Sequence, residues 1–139
     1  MEVVSRTITF HASIDEIKDI TASIEQELAG TGLRDGIVTV FVPGATGAVS
    51  TIEYEPGLVT EDIPRALERI APRDEAYGHD AAWHDGNGYS HVRATLLGPS
   101  LTIPFSGGRL TLGTWQQVIF LNLDNRARKR DIVLQILGK

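Results

Sequence analysis

The alternation of apolar and polar positions divides the chain into short β segments interrupted by helical stretches. Residues 2–10 are rich in β-branched types and partly alternate, which predicts a strand. Ser13, with Glu16 three residues on, reads as a capping box. Ile14, Ile17, Ile20 or Thr21, Ile24 and Leu28 then fall at helical spacing, with Gly30 as the stop. Residues 36–42 are continuously apolar and β-branched, as in a buried strand. Residues 49–55 resume as a strand, on which Thr51, Glu53 and Glu55 share a face. Pro56-Gly57 breaks it. Thr60 or Asp62 would cap a second helix with Pro64 in its first turn, ended by Pro72. Ser90 would cap a short helix over 91–97 that stops at Gly98; a strand is the competing reading. From Ser100 onward the pattern is β: 101–105 meets Gly107-Gly108 as a hairpin, and 109–112, 118–123 and 131–137 follow. Together these elements predict an α+β fold, a mostly antiparallel β-sheet or sandwich of about seven strands with two to three helices.

Composition narrows the class. A length of 139 residues is most simply one domain, 1–139. The absence of cysteine removes a disulfide framework, a thiolate nucleophile and a sulfur-ligated zinc. A net charge of -5 without a basic stripe argues against a nucleic-acid partner. The one basic run, 126–130, reads as a solvated turn, with a phosphate-binding patch as the lesser reading. No leader pattern is visible, and no apolar run approaches the roughly 20 residues that span a membrane. The expectation is a cytoplasmic protein without a membrane partner.

The candidate chemistry sits in residues 77–93. Three of the four histidines fall there, His79, His84 and His91, among Asp80, Asp85, Asn87 and two glycines. So little apolar side chain predicts a loop that presents polar groups. Clustered neutral imidazoles are what a divalent metal needs. Zinc is the favoured ion and magnesium the alternative. Glu53 or Asp85 would be a fourth ligand or a general base. Glu53 and Glu55 would equally suit a polar sheet face in water. Arg93 and the small-residue turn 43–48 are candidate anion donors, although the glycines of that turn match neither phosphate-loop spacing. Trp83, Tyr89 and Trp115 are candidate apolar walls for a ligand, or core, or subunit interface.

Three segments carry a family resemblance. Ser-Thr-Ile-Glu at 50–53, His79 through His91 running into Leu96-Leu97-Gly98-Pro99-Ser100, and Gly108-Arg-Leu-Thr-Leu-Gly-Thr-Trp-Gln116 resemble the YjbQ family in order and spacing. Its members carry the name secondary thiamine-phosphate synthase. The resemblance implies an antiparallel α+β fold, a homotrimer, and a histidine-centred site with a bound metal. It also implies a weak activity joining a pyrimidine diphosphate to a thiazole phosphate, and hence a small phosphorylated ligand. By position, His79 and His91 match the family's two later histidines, Asn87 its loop asparagine and Glu53 its strand glutamate. Thr114, Trp115 and Gln116 match its signature, so Thr114 and Gln116 join Asn87 and Arg93 as expected substrate-binding residues. One departure stands out: Gly44 occupies the place of a histidine found in many members, and His84 is the available substitute.

Overall fold

A computed structural model describes every residue, Met1–Lys139. It contains eight strands in two antiparallel sheets and four α-helices, one more of each than the expected maximum, within the α+β class read from the sequence. The elements are β1 (Glu2–Ala12), β2 (Ile17–Asp19), α1 (Thr21–Ala29), β3 (Gly36–Phe41), β4 (Gly47–Ile52), α2 (Ile63–Ile70), α3 (Gly78–Trp83), α4 (Gly88–Leu97), β5 (Ser100–Ser106), β6 (Arg109–Leu110), β7 (Gln117–Asn122) and β8 (Arg128–Gly138). A π-helical turn, Leu58–Asp62, leads into α2.

The larger sheet has the order β1-β8-β3-β5-β6, and the smaller β2-β7-β4. Chain ends meet in the larger sheet: β1 pairs with β8 along its whole length, from Glu2 opposite Gly138 to Ala12 opposite Arg128. In β8 one parity is buried, Arg130, Ile132, Leu134, Ile136 and Gly138. That face packs with Val38, Val40, Ile103 and Phe105, with Ile24 and Leu28 of α1, and with Val118 and Phe120 of β7. The opposite parity of β7, Ile119 and Leu121, packs instead with Ala48, Leu67 of α2 and Ala94 of α4. The small sheet is therefore the middle layer, between the large sheet and the helices α2 and α4. Covering both faces explains why 118–121 is continuously apolar rather than alternating.

Three expected elements differ. The helix predicted from Ser13 begins only at Thr21, because Ile17–Asp19 pairs with Leu121–Ile119 as an edge strand of the small sheet. Half of the capping box does form, the Ser13 N–H donating to Glu16 Oε1 at 2.8 Å, but Asp15 at φ 61 turns the chain out of the helical path. The start of α1 is met by Asp19 Oδ1, which accepts from the Thr21 N–H. The strand expected over 49–55 ends at Ile52, so Glu53 and Glu55 do not share a strand face. Glu55 instead accepts from the N–H groups of Gly57 and Leu58, at 2.8 and 3.0 Å, and caps the π turn. The expected loop 77–93 is two helices joined by a four-residue turn, and the helix reading of 91–97 holds, starting three residues earlier at Gly88.

Candidate functional site

The turn between α3 and α4 is built from local chemistry. His84 caps α3 in the left-handed conformation at φ 58, and Gly86 follows at φ 68. Asp80 Oδ1 accepts from the Gly88 N–H at 2.8 Å, which anchors the start of α4 to α3. Gly88 is required there, since a Cβ would sit 2.5 Å from Tyr77 Cβ.

This reversal brings His79, Asp85, Asn87 and His91 together. His79 Nε2 lies 3.2 Å from Asp85 Oδ1, and the His79 and His91 rings meet edge-on at 4.6 Å between centroids. The buried Asn87 amide is best oriented with its NH2 toward this pair, donating to His79 Nε2 at 3.1 Å and to both Asp85 oxygens at 3.1 and 3.2 Å. The opposite orientation places its oxygen against Nε2 and offers one long contact, 3.5 Å, to Asp124 Oδ1. In the favoured orientation the Nε2 lone pair of His79 accepts from the Asn87 amide, which also bridges to the Asp85 carboxylate.

Asp85, Asn87 and His91 form one wall of a cavity of about 480 Å³. The rest of the lining is Pro43 to Thr46 and the charged run Arg128, Lys129, Arg130 and Asp131. Beneath it lies a buried polar network. Arg130, only 6% exposed, donates from Nη2 to Asn122 Oδ1 at 2.7 Å and to the Thr46 carbonyl at 3.0 Å, and stacks on Phe120. Its Nε is buried without a partner. Gly44, at φ 125, lies over the same guanidinium, and a Cβ there would come 3.7 Å from Arg130 Nη1. Asp124 is fully buried and accepts from Arg128 Nε, from the Asn125 N–H at 2.8 Å and from Thr46 Oγ1 at 3.1 Å. Burial alone would raise its pKa, but those hydrogen bonds and the Arg128 charge outweigh it and hold the carboxyl below its ordinary value.

The other sequence-derived candidates lie elsewhere. His84 is exposed on the turn and takes no part in the His79–His91 contact. Glu53 is exposed just beyond β4 and borders none of the cavities described here. Arg93, 4% exposed, points away from His91 and donates to the Ala71 carbonyl at 2.9 Å and to Glu68 at 2.7 Å. Thr114 is exposed, and Gln116 bonds Thr51 at 3.0 Å on the rim of a different depression. Trp83 and Trp115 are each 73% exposed, whereas Tyr89 is buried with the guanidinium groups of Arg73 and Arg93 over its ring. No three His, Asp or Glu side chains gather within the chain as a metal-ligating group. The sequence reading put Arg130 at the end of the solvated basic turn 126–130, whereas the structure buries it on β8. Its parity with Ile132, Leu134 and Ile136 was the available signal, because it puts a guanidinium on the core face of a strand.

An α+β domain with a polar cavity that brings His91 and Asp85 opposite a run of charged β8 residues is the class these features define. The chain belongs to the YjbQ family: the family model described as "UPF0047 protein YjbQ-like" matches residues 6–139. It is 40% identical to a UPF0047 protein of Methanothermobacter thermautotrophicus, over 100% of this chain and 95% of that one. A UPF0047 protein of Archaeoglobus fulgidus is 42% identical over 85% of this chain and 89% of its own length. Among solved structures, a YbjQ-like protein of unknown function from Sulfolobus solfataricus P2 superposes with a TM-score of 0.89 at 30% identity, covering 99% of this chain and all of that one. A hypothetical protein from Aeropyrum pernix K1 gives 0.85 at 34% identity, over 96% and 99% of the two chains. No helix is long and apolar enough to cross a membrane.

Proposed function

We propose that the protein is a metal-assisted enzyme acting on a small phosphorylated molecule, with a weak thiamine-phosphate synthase type of transfer as its activity. The observation that carries this reading is the meeting of Asp85, Asn87 and His91 with Arg128, Lys129 and Arg130 around one cavity. Mixed nitrogen and oxygen donors suit zinc, and magnesium less well. His79 and His91 are the residues that would contribute ligands to the ion, the rest of the set coming from outside the single chain, and the ion would neutralise charge on a departing diphosphate. Asn87 fixes the orientation of His79 and Asp85 through its amide. Asp85, 3.2 Å from His79 Nε2, is the general base of the reading. Lys129 and the accessible edge of Arg130 would bind the anionic group.

In this proposal the protein works as a homotrimer, in which a neighbour's Glu53 strand faces the histidine cluster and completes the site. The test is direct. The protein is purified without chelator or a metal-affinity tag, and bound ions are measured by mass spectrometry alongside thermal melting. Near-stoichiometric zinc, lost in His79→Ala and His91→Ala, is expected. Absence of bound ion together with no rise in melting temperature on adding zinc would sink the reading.

A second reading, a non-catalytic trimeric module that binds a small ligand or a metal, draws on the lack of three converging His, Asp or Glu side chains in one chain. A phosphorylated ligand that binds wild type and Asp85→Ala alike, and is turned over by neither, decides for the module.

A further inference from the structure

The largest of the three cavities described is not the histidine cavity. It has a volume of about 560 Å³ and lies between the start of β2, Tyr54, the π turn with α2, the middle of α4 and the end of β7. A volume of that order accommodates a small organic ligand. The two cavities have no lining residue in common, although α4 contributes to both: His91 to one and Arg93 to the other.

Three independent features meet at this cavity. The first is its floor, where buried Leu67, Leu121 and Leu123 surround the buried Arg93. Arg93 commits Nε and Nη2 to Ala71 and Glu68, and its remaining nitrogen has no protein partner. The second is the π-helical turn, a rare geometry that recurs at functional positions and here presents Val59 and Thr60 to the cavity. The third is Asp15, a non-glycine residue in the left-handed region at φ 61, held there by its ion pair with Arg73.

The charges decide what fits. Arg73 is engaged by Asp15 and Glu68, and Arg93 by Glu68, so both guanidinium groups are already neutralised. Glu16 remains, its Oε1 taken by the Ser13 N–H and its other oxygen without a partner. One oxygen of Asp15 is likewise unpartnered. Negative charge is therefore in excess at the rim, and apolar surface at the floor.

We propose that this cavity is a second ligand site, distinct from the histidine cavity, which takes a small organic cation. The apolar body would lie on Val59, Leu67 and Leu121, with the ammonium or amidinium end at the free oxygens of Asp15 and Glu16. A cation there gains the uncompensated charge of Glu16 and shares the free oxygen of Asp15 without displacing either existing arginine pair. An anion would find only the remaining Arg93 nitrogen, beside Glu68, and would face the excess carboxylates of the rim.

The test uses three probes that share an aromatic body and differ in the charge of the end group: 2-phenylethylammonium, 2-phenylethanol and 3-phenylpropionate. Each is titrated into the full-length protein and followed by the methyl NMR signals of Ile17, Val59, Leu67 and Leu121. Saturable shifts at those methyls are expected, with the ammonium bound several-fold more tightly than the propionate, a modest ratio because the rim is solvated. Val59→Trp fills the cavity and should abolish the shifts. Asp15→Asn tolerates the left-handed backbone, so it should leave the spectrum folded while erasing most of the advantage of the ammonium over the alcohol. The proposal is overturned by the absence of saturable shifts at these methyls, by shifts confined to the His91–Arg130 cavity, or by propionate binding as tightly as the ammonium.

Discussion

Asp124→Asn isolates the charge that supports the candidate site. The substitution preserves volume, so no cavity term enters, and it removes the negative partner of Arg128 from a fully buried position. Charge-assisted hydrogen bonds contribute roughly 1.5–3 kcal/mol each. Asp124 accepts two of that kind or better, from Arg128 and the Asn125 N–H, and a third from Thr46. The amide keeps one acceptor oxygen and turns a donor toward Arg128 or Thr46. The expected loss is therefore about 3 kcal/mol, less than the sum of the bonds because Arg128, 35% exposed, is partly solvated once its partner is gone. Urea unfolding at pH 7 should show a lower midpoint with an unchanged slope. Melting should fall by about 10 °C, at roughly 4 °C per kcal/mol for a chain of this size.

The pH dependence supplies the decisive sign. Folding lowers the Asp124 pKa from its ordinary value of 3.8, so the unfolded chain takes up the proton first as pH falls. The stabilisation is fully present above 3.8 and is lost as pH drops through the lower folded value. Wild type and variant should keep a constant difference from pH 7 down to about 4, and converge below it. A loss under about 1 kcal/mol, or a difference that grows on acidification, would refute the buried-network account.

Gly88→Ala places a methyl 2.5 Å from Tyr77 Cβ and should cost about 1–3 kcal/mol, read as a shifted urea midpoint, because Tyr77 Cβ sits too close to its own backbone to swing aside. Trp115→Ala should change the stability of the dissociated chain, measured at low protein concentration, by no more than about 0.5 kcal/mol, since the indole is exposed. In sedimentation velocity the same variant should weaken assembly if Trp115 faces a neighbour in the proposed trimer. Glu55→Ala removes the acceptor of two backbone N–H groups at the π turn and should cost about 1 kcal/mol by urea unfolding.

The sequence by itself determined the class of fold, most strand cores, the family, and the histidine-rich segment as the centre of interest. Period-2 and continuous β-branched runs at 36–42 and 118–123 are strong local signals, and the structure places strands on both. The segment 13–20 was misread because its isoleucines suit a helix and a sheet edge equally well. The exposed edge of β7 decided between them, through hydrogen bonds to residues a hundred positions away. Asn87, Asp85, His79 and His91 were legible as a cluster because they are close in sequence.

Tertiary structure alone decided what faces them. Arg130 and Gly44 reach that cavity only because β8 pairs with β1 and β3 while the turn after β3 folds over its end. It likewise separated Arg93 from His91, two residues apart on α4 but directed to opposite sides of the helix. Local pattern records which residues prefer a helix or a strand. Which side chains meet across the cavity follows from long-range pairing, and a single chain pattern does not encode that.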